Sequence, residues 1–287
     1  MAQNKTIFVT GATGNQGGEV ARSLLRNGFA VKALTRDPSS PKVYKLRGLH
    51  AEIVQGDLNE PSAFRDHLKN VDAIFCVLKS EKKPDLEIKQ GIELANLAKI
   101  YNVSHFLYSS VNGADLHSGI PHWESKWVIE NHIRQINLPH TIIRPASLYE
   151  NFLIPQVKKG ILKGKLVSPL PGDFIQLFVG SPDIGEISTR IFQRPDKYLG
   201  KIFPLIKDRL TMEKVAAIFS DVLGKEIKYQ KMPLFLTRIF MGKNLYKMFS
   251  WINSNHALLT EHAKTEDNDL PNGPELREWI KLHFILS

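Results

Sequence analysis

The chain contains very little cysteine: Cys76 is the one such residue among 287. A single cysteine excludes an intrachain disulfide and a zinc site built from cysteines. Because Cys76 lies in the apolar run at residues 73–77, we expect a buried and unreactive thiol. The chain is long enough to be stabilised by an ordinary hydrophobic core instead.

Long apolar runs are also missing. No run reaches the roughly eighteen residues that a membrane-spanning helix needs. The first residues, MAQNKTIFVT, lead directly into a predicted strand and do not resemble a signal peptide. We therefore expect a cytoplasmic protein.

Two common catalytic motifs are absent as well. The ten histidines include no His-Glu-x-x-His pattern, and the pair His117 and His122 is by itself a poor ligand set. There is no Gly-x-Ser-x-Gly elbow of an α/β-hydrolase. We therefore expect no metal site.

Positive charge is concentrated in one part of the chain. The formal net charge is +9, and residues 201–250 contain ten Lys or Arg and four acidic residues. Such a region can meet nucleic acid, an anionic membrane or an acidic protein, but scattered lysines more often form a solvated face. Because we find no recognition motif, we expect neither nucleic acid nor a membrane as partner, and a protein partner stays open.

Residues 233–252, PLFLTRIFMGKNLYKMFSWI, mix aromatic residues and methionine with Lys and Arg. This pattern is compatible with a lid over an apolar ligand, a core helix with a basic solvent face, an interfacial membrane helix or a partner groove. We favour the lid or the core helix.

The first half of the chain alternates short apolar runs with helical patterns, which is typical of βαβ units. The predicted strands are 5–10, 29–35, 51–55, 71–78, 103–109 and 138–143, and the predicted helices are 16–27, 41–48, 60–69, 85–101 and 122–136. The pattern predicts an α/β fold with a doubly wound parallel sheet. Its ligand crevice should open at the carboxyl ends of the strands.

The rhythm changes after residue 150. We expect a domain at 1–150 that binds a dinucleotide and a smaller mixed α/β lobe at 151–287 on the substrate side. Strands near 174–179 and 201–206 should join or flank the main sheet, and Thr211 should start a helix that Gly224 ends. We further expect the second lobe to close a mainly apolar pocket for a small-molecule ligand.

The stretch TGATGNQGGEV follows the first predicted strand and opens the first predicted helix. Glycines permit a tight turn and close approach to phosphate oxygens, and the free N–H groups of a helix start donate to a diphosphate. The predicted contacts are Gly11, Thr13, Gly14, Asn15, Gln16 and Gly17.

The end of the second strand indicates which dinucleotide is bound. An NAD site has a carboxylate here for the ribose 2′-hydroxyl, whereas this chain reads Thr35-Arg36-Asp37. Arg36 can pair with a 2′-phosphate and Thr35 can add a hydroxyl donor, so we predict NADP(H). The alternative is that Arg36 lies in solvent and Asp37 binds the ribose.

Three further strand ends supply candidates. Gly56, Asp57 and Leu58 should flank the adenine. Val77, Leu78, Lys79 and Ser80 should line the nicotinamide ribose. Each of these two segments can equally be an ordinary strand-ending loop. Ser109 and Ser110 end the fifth strand, where their hydroxyls either bind the ligand or form hydrogen bonds within the loop.

The chain resembles the NmrA-like family, a branch of atypical short-chain dehydrogenases/reductases with a Rossmann fold. The likeness is carried by VTGATGNQG, TRDP, VQGDL, HWESKWVIENHIR, LPHTIIRPASLYEN and LTMEKVAAIFSDVLGKEIKYQKMP, in pieces over about residues 5 to 235. The resemblance implies NADP(H) as cofactor. It also implies one of two functions: redox sensing without turnover, or reduction of quinones, double bonds or similar acceptors.

Active short-chain reductases use a Tyr-x-x-x-Lys pair, in which lysine holds the ribose and tyrosine gives the proton. Here Lys126 is present but His122 replaces the tyrosine. His122 shares a helix face with Lys126, so it is either a weak proton donor or a polar wall of the pocket. Tyr149 and Asn151 are candidates to face the nicotinamide; the alternative for Tyr149 is that it only packs the turn.

Two hypotheses follow. The first is a redox-responsive or ligand-responsive sensor or regulator that binds NADP(H) without tyrosine-dependent turnover. The alternative is an NADPH-dependent reductase of a quinone-like or unsaturated small molecule, in which Lys126 orients the cofactor and the proton comes from His122, Tyr149 or water.

Overall fold

The computed structural model describes residues 5–79, 84–262 and 273–285. In chain order the strands are β1 (Thr6–Val9), β2 (Ala30–Thr35), β3 (Glu52–Gln55), β4 (Ala73–Val77), β5 (His105–Ser109), β6 (His140–Pro145), β7 (Ser147–Leu148), β8 (Lys165–Ser168), β9 (Ile175–Val179), β10 (Ile202–Leu205), β11 (Asp208–Thr211) and β12 (Lys228–Lys231).

The helices are α1 (Asn15–Arg26), α2 (Pro41–Arg47), α3 (Pro84–Ile100), α4 (Pro121–Gln135), α5 (Pro155–Leu162), α6 (Ser181–Gln193), α7 (Pro195–Tyr198), α8 (Met212–Leu223), α9 (Leu234–Phe240), α10 (Lys243–Ser254), α11 (His256–His262) and α12 (Leu276–Ile280). Short 3-10 helices lie at Pro61–Ala63, Arg65–Leu68 and Tyr149–Leu153, and a π-helix lies at Lys281–Ile285.

A seven-stranded sheet with the order β10-β6-β5-β4-β1-β2-β3 confirms the predicted α/β fold. Neighbouring strands run parallel; Phe8 of β1, for example, pairs with Lys32 of β2 and with Ile74 of β4. The strand order reverses direction between β1 and β4. In doubly wound sheets ligands bind beside such a reversal, at the carboxyl ends of the strands.

The predicted helix at 60–69 is wrong in type, because this segment forms two 3-10 turns. Phe64, which joins them, has φ of −132°, well outside helical values. Phe64 is also 1% exposed and its ring stacks on Phe8. Packing of this ring against the sheet therefore takes precedence over helix continuation.

Apolar side chains on the central strands form the core that holds the sheet. Phe8, Ile74, Phe106 and Ile142 are fully buried in one cluster. Cys76 belongs to the same cluster, and burial raises the pKa of its thiol to about 12. The thiol is therefore protonated at neutral pH, which confirms the prediction of a buried, unreactive cysteine.

The described residues divide into two compact units. The first contains residues from 1–115, 121–144 and 184–203, and the second contains residues from 116–120, 145–183 and 204–287. Both units are discontinuous in sequence. The single boundary at residue 150 stays a prediction. The two later strands lie at Ile175–Val179 and Ile202–Leu205, close to their predicted positions.

The second unit contains two small sheets and an aromatic core. One sheet has the order β11-β9-β7 and the other pairs β12 with β8. As predicted, Thr211 caps α8 by accepting a hydrogen bond from the N–H of Lys214, and Gly224 ends that helix. Phe152 and Trp279 pack in the aromatic core of this unit.

Residues 233–252 form most of α9 and α10. Phe235, Ile239 and Phe240 of α9 are 65%, 69% and 73% exposed, whereas Thr237 is buried. The core-helix interpretation is therefore wrong for these three apolar side chains, because they face solvent. The lid stays a prediction. Among the described helices, none combines the length and apolar character needed to cross a membrane.

Stability should fall as the pH drops from about 6.5 towards 4, because His105 is buried in a neutral form. Its Nε2 lies 2.8 Å from the Thr141 hydroxyl, which donates to the carbonyl of Tyr198. Burial first, then the charges of Lys5 and His140, lower the pKa of His105 to about 4. In the unfolded chain His105 binds a proton near the ordinary histidine pKa of about 6.5, whereas in the folded chain it stays neutral until about pH 4. Neutral His105 therefore contributes up to about 3 kcal/mol to the free energy of unfolding above pH 6.5, and this contribution is lost as the pH falls to 4.

Urea unfolding from pH 7.5 to 4 measures this dependence. The variant His105→Asn should lose part of the acid sensitivity whatever its absolute stability. Identical pH slopes for the two proteins would show that His105 is not responsible.

Candidate functional site

The glycine loop connects β1 to α1 at the strand-order reversal. The Thr10 hydroxyl fixes the start of the loop by donating to the carbonyl of Val77 and accepting from its N–H, at 2.8 and 2.9 Å. Gly11 has φ of +58°, and a Cβ there would lie 2.9 Å from a methyl carbon of Val77. The turn therefore requires glycine at this position.

Gly17 is required for a different reason than the one expected from the sequence. A Cβ at Gly17 would lie 2.4 Å from the carbonyl oxygen of Gly11 and 2.5 Å from that of Thr10. Gly17 is buried, and because it has no Cβ the two carbonyl oxygens of the loop can lie against it. Close packing of α1 against the loop therefore requires glycine at this position.

The start of α1 is suited to an anion. Gly14 is the N-cap and has no side chain to satisfy the first N–H groups, and the first turn contains no acidic residue. Gly14 and Asn15 are exposed, and Thr13 and Gln16 are half-buried. Because the first N–H groups of a helix lack intrahelical partners and carry partial positive charge, this loop fits a diphosphate.

At the end of β2, Arg36 is exposed and Asp37 is engaged locally. The Asp37 carboxylate accepts hydrogen bonds from the hydroxyl and the N–H of Ser39, at 2.5 and 2.9 Å. The side-chain hydrogen bond first and the backbone hydrogen bond second lower the pKa of Asp37. The Thr35 hydroxyl donates to the carbonyl of Asp37, at 3.2 Å. Arg36 is therefore the group at this strand end that is available for a phosphate.

The end of β3 has the features of an ordinary strand-ending loop. Gly56 avoids contacts of 3.1 Å with Phe64 and 3.2 Å with Leu34 that a Cβ would make. Asp57 accepts from the N–H of Asn59, at 2.9 Å, as in an Asx turn. Leu58 is partly buried and packs against the core cluster.

After β4, Leu78 is buried and Lys79 is exposed. Ser80 lies outside the described residues.

The end of β5 meets the glycine loop. The Ser109 hydroxyl donates to the side-chain carbonyl of Gln16, at 2.7 Å. Next to it, the Ser110 hydroxyl and the Asn112 Oδ1 are buried without a hydrogen-bond partner among the described residues. Leaving each group unsatisfied costs about 1–3 kcal/mol, so a water or a polar ligand group is expected here. Sequence reasoning missed Asn112.

Lys126 of α4 is 6% exposed and forms an ion pair with Glu87 of α3, with Nζ 2.8 Å from Oε1. The Ser125 hydroxyl donates to the other carboxylate oxygen, also at 2.8 Å. The Lys126 ammonium lies 5.8 Å from the ring centre of Tyr108. Glu87 was missed by sequence reasoning, although its spacing from Gly91 and Leu94 predicts the buried face of a helix.

His122 lies one turn before Lys126 and is half-buried. Burial first, and the Lys126 ammonium second, lower the pKa of His122 to about 4. The ring is therefore neutral at pH 7 and lacks the extra proton that a general acid of ordinary histidine type would donate. This position favours the polar-wall interpretation.

Tyr149 lies in the core of the second unit, where it is fully buried. Its hydroxyl donates to Asp208 Oδ2 at 2.5 Å, and its ring stacks on Phe178. Burial first, then the hydrogen bond to Asp208, raise the pKa of Tyr149. The exposed Asn151 donates to the Ser147 hydroxyl, at 3.2 Å. These contacts correspond to the packing alternative for Tyr149.

Metal ligands do not cluster in the part of the chain that the structure describes. No group of three or more His, Cys, Asp or Glu side chains there is arranged to hold a metal ion. The geometry of the site is thus that of a glycine loop, an exposed arginine and a buried lysine–glutamate pair.

The chain is similar to several known proteins. An NmrA-like family domain-containing protein of Dictyostelium discoideum is 29% identical over 256 residues, which cover 84% of this chain and 83% of the relative. The structure of the NADPH-dependent quinone oxidoreductase QOR2 of Escherichia coli with NADPH superposes with a TM-score of 0.79, at 21% identity, over 97% of this chain and 99% of that chain.

The structure of NmrA, a negative transcriptional regulator, in complex with NAD superposes with a TM-score of 0.75. It is 20% identical and covers 96% of this chain and 94% of that chain. At these identities the two solved structures indicate a shared fold. The model of the NmrA-like family matches residues 3–280, and the chain therefore belongs to the NmrA-like family.

Proposed function

We propose that the chain binds NADP(H) through its first unit and acts as a redox-responsive or ligand-responsive sensor or regulator, without tyrosine-dependent turnover. The observation that carries this proposal is the pair of residues at the reductase motif. A neutral His122 stands where the proton-donating tyrosine would be, and Lys126 is paired with a buried carboxylate. A site built in this way can hold the cofactor but supplies no activated phenol at that position.

The cofactor fits the groups at the strand ends. The N–H groups of Asn15, Gln16 and Gly17 would donate to the diphosphate, and the Arg36 guanidinium would pair with the 2′-phosphate. Lys126 would donate to the nicotinamide ribose. When bound, NADPH supplies a hydride from its nicotinamide ring. The unsatisfied Ser110 and Asn112 atoms support a polar ligand group near the end of β5.

Besides the cofactor, the chain binds a small apolar ligand or a protein partner. We propose that such a ligand binds on the substrate-side lobe at 151–287. The exposed apolar side chains of α9 support a lid there, since they are available to cover an apolar molecule.

Calorimetry followed by a turnover assay tests the proposal. We expect binding heat with both NADPH and NADP⁺, and no NADPH oxidation above the buffer rate with a panel of quinones and enones. Robust turnover with any acceptor would end the sensor proposal, and the absence of heat with both coenzymes would end the cofactor proposal.

A second candidate is an NADPH-dependent reductase of a quinone-like or unsaturated small molecule. The buried Ser110 hydroxyl and Asn112 Oδ1 favour it, because both atoms lack a partner in the described part of the chain. A hydroxyl of this kind can polarise a carbonyl oxygen by donating a hydrogen bond. The proton would then come from water, since the raised pKa and the buried contacts of Tyr149 disfavour that residue as a donor.

If turnover is found, His122→Phe should change kcat by less than about threefold. A histidine with a pKa of about 4 carries no excess proton at neutral pH, so its removal deletes no acid of the usual kind. The measurement is steady-state NADPH oxidation between pH 5 and 8. A loss of about a hundredfold, with disappearance of a titrating group from the profile, would instead identify His122 as the proton donor.

A further inference from the structure

Glu87 is a fully buried carboxylate with both oxygens engaged by α4. Oε1 accepts a hydrogen bond from Lys126 Nζ and Oε2 accepts one from the Ser125 hydroxyl, each at 2.8 Å. We propose that Glu87 is the positioning residue that fixes the Lys126 ammonium for the dinucleotide. This inference rests on the proposed NADP(H) function, and Glu87 acts through Lys126.

The close approach of α3 to α4 depends on a glycine one turn after Glu87. A Cβ at Gly91 would lie 2.6 Å from Cδ1 of Ile129 and within 3 Å of two further carbons of that side chain. Gly91 follows Glu87 by four residues, and Ile129 follows Ser125 by four. The Gly91–Ile129 contact therefore lies one helical turn from the Glu87–Ser125 contact, on the same faces of α3 and α4. The glycine lets the helices approach, and the carboxylate thereby reaches the ammonium.

The surroundings of Lys126 make its position dependent on Glu87. The ammonium lies over the Tyr108 ring from β5, near the buried Cys76 thiol from β4 and one helical turn from His122. None of these groups carries a negative charge at neutral pH. A buried ammonium without a carboxylate is strongly disfavoured, so Lys126 would lose its proton or turn towards water if Glu87 were neutral. Either change removes the donor from its place.

A second buried ion pair in the same unit provides a matched control. Glu130 of α4 is also fully buried and accepts two hydrogen bonds from Arg144, at 2.7 and 3.1 Å. Arg144 additionally bonds Asp115, at 2.6 Å. Neutralising either glutamate leaves an incompletely paired cation, but only Glu87 contacts the lysine that we assign to the cofactor.

The experiment compares NADPH affinity, by calorimetry, and thermal unfolding for the variants Glu87→Gln, Ser125→Ala, Lys126→Met and Glu130→Gln. We expect Glu87→Gln and Lys126→Met each to weaken NADPH binding by about tenfold or more. Ser125→Ala, which retains the ion pair, should weaken it by about threefold. Glu130→Gln should lower thermal stability while leaving the affinity of the folded protein unchanged.

The double variant Glu87→Gln with Lys126→Met separates positioning from a merely structural role. Because Glu87 acts through Lys126, the double variant should bind NADPH no more weakly than Lys126→Met alone. Additive losses, an unchanged affinity in Glu87→Gln, or tighter binding in that variant would each overturn the assignment. If the unmodified chain itself fails to bind NADPH, the proposed function fails. If it binds and only Lys126→Met is impaired, the inference about Glu87 fails alone.

Discussion

Replacing Arg36 with alanine is expected to weaken NADPH binding by about ten- to a hundredfold and to change NADH binding by less than about twofold. Only NADPH carries the 2′-phosphate, and a guanidinium is the side chain best suited to pair with it through two hydrogen bonds. Arg36 is exposed at the end of β2, whereas the neighbouring Asp37 is held by Ser39. Calorimetry with both coenzymes measures the two ratios.

Two control variants sharpen the Arg36 experiment. Arg26→Ala removes an exposed arginine at the carboxyl-terminal end of α1, away from the glycine loop, and we expect it to leave both affinities unchanged. Asp37→Ala distinguishes the alternative in which Asp37 binds the ribose, since that alternative requires a selective loss of NADH binding. Equal losses for the two coenzymes in Arg36→Ala would refute the assignment of the 2′-phosphate.

Replacing Gly17 with alanine should destabilise the fold and abolish measurable NADPH binding. The added Cβ would meet two backbone oxygens of the loop at 2.4 and 2.5 Å, and neither oxygen can move like the end of a flexible side chain. Relief of the clash requires the loop to separate from α1. We expect a loss of at least about 2–3 kcal/mol in the free energy of unfolding. Urea unfolding and coenzyme titration measure the two effects.

Gly48→Ala is the matched control for the Gly17 variant. Gly48 follows α2 with φ of −63°, and a Cβ there would meet the carbonyl oxygen of Tyr44 at an ordinary 3.5 Å. This variant should retain both stability and coenzyme binding. Normal stability and affinity in Gly17→Ala would mean that the loop has a different structure from the one described.

Much of the first unit could be predicted from the sequence because its signals are local. Apolar runs bounded by glycine and polar residues predicted β1 to β6, and the parallel pairing of these strands confirms the sheet. In the second unit, Thr211 and Gly224 likewise predicted the ends of α8, because capping depends on adjacent residues. The segment 60–69 was misjudged, since burial of Phe64 against Phe8 depends on a distant strand.

The glycine loop and Arg36 could be predicted from the sequence, whereas the surroundings of Lys126 and Tyr149 could not. The glycine loop and Arg36 follow from residue type and position after a strand, although the packing role of Gly17 required the structure. Glu87 could not be assigned to Lys126 from sequence, because the pairing depends on how closely α3 and α4 approach. Tyr149 lies in the stretch LPHTIIRPASLYEN, which made it a candidate for the site, but its side chain packs in an aromatic core beside Phe178.

The sequence by itself determined the alternation of strands and helices, the site of the glycine loop and the basic residue after β2, because each depends on neighbours along the chain. Only the tertiary structure decided which charges and hydroxyls meet. Lys126 and Glu87 are 39 residues apart, and Tyr149 and Asp208 are 59 apart. Such pairings arise from the packing of whole helices and strands, and the residues between the partners carry no local signal for them.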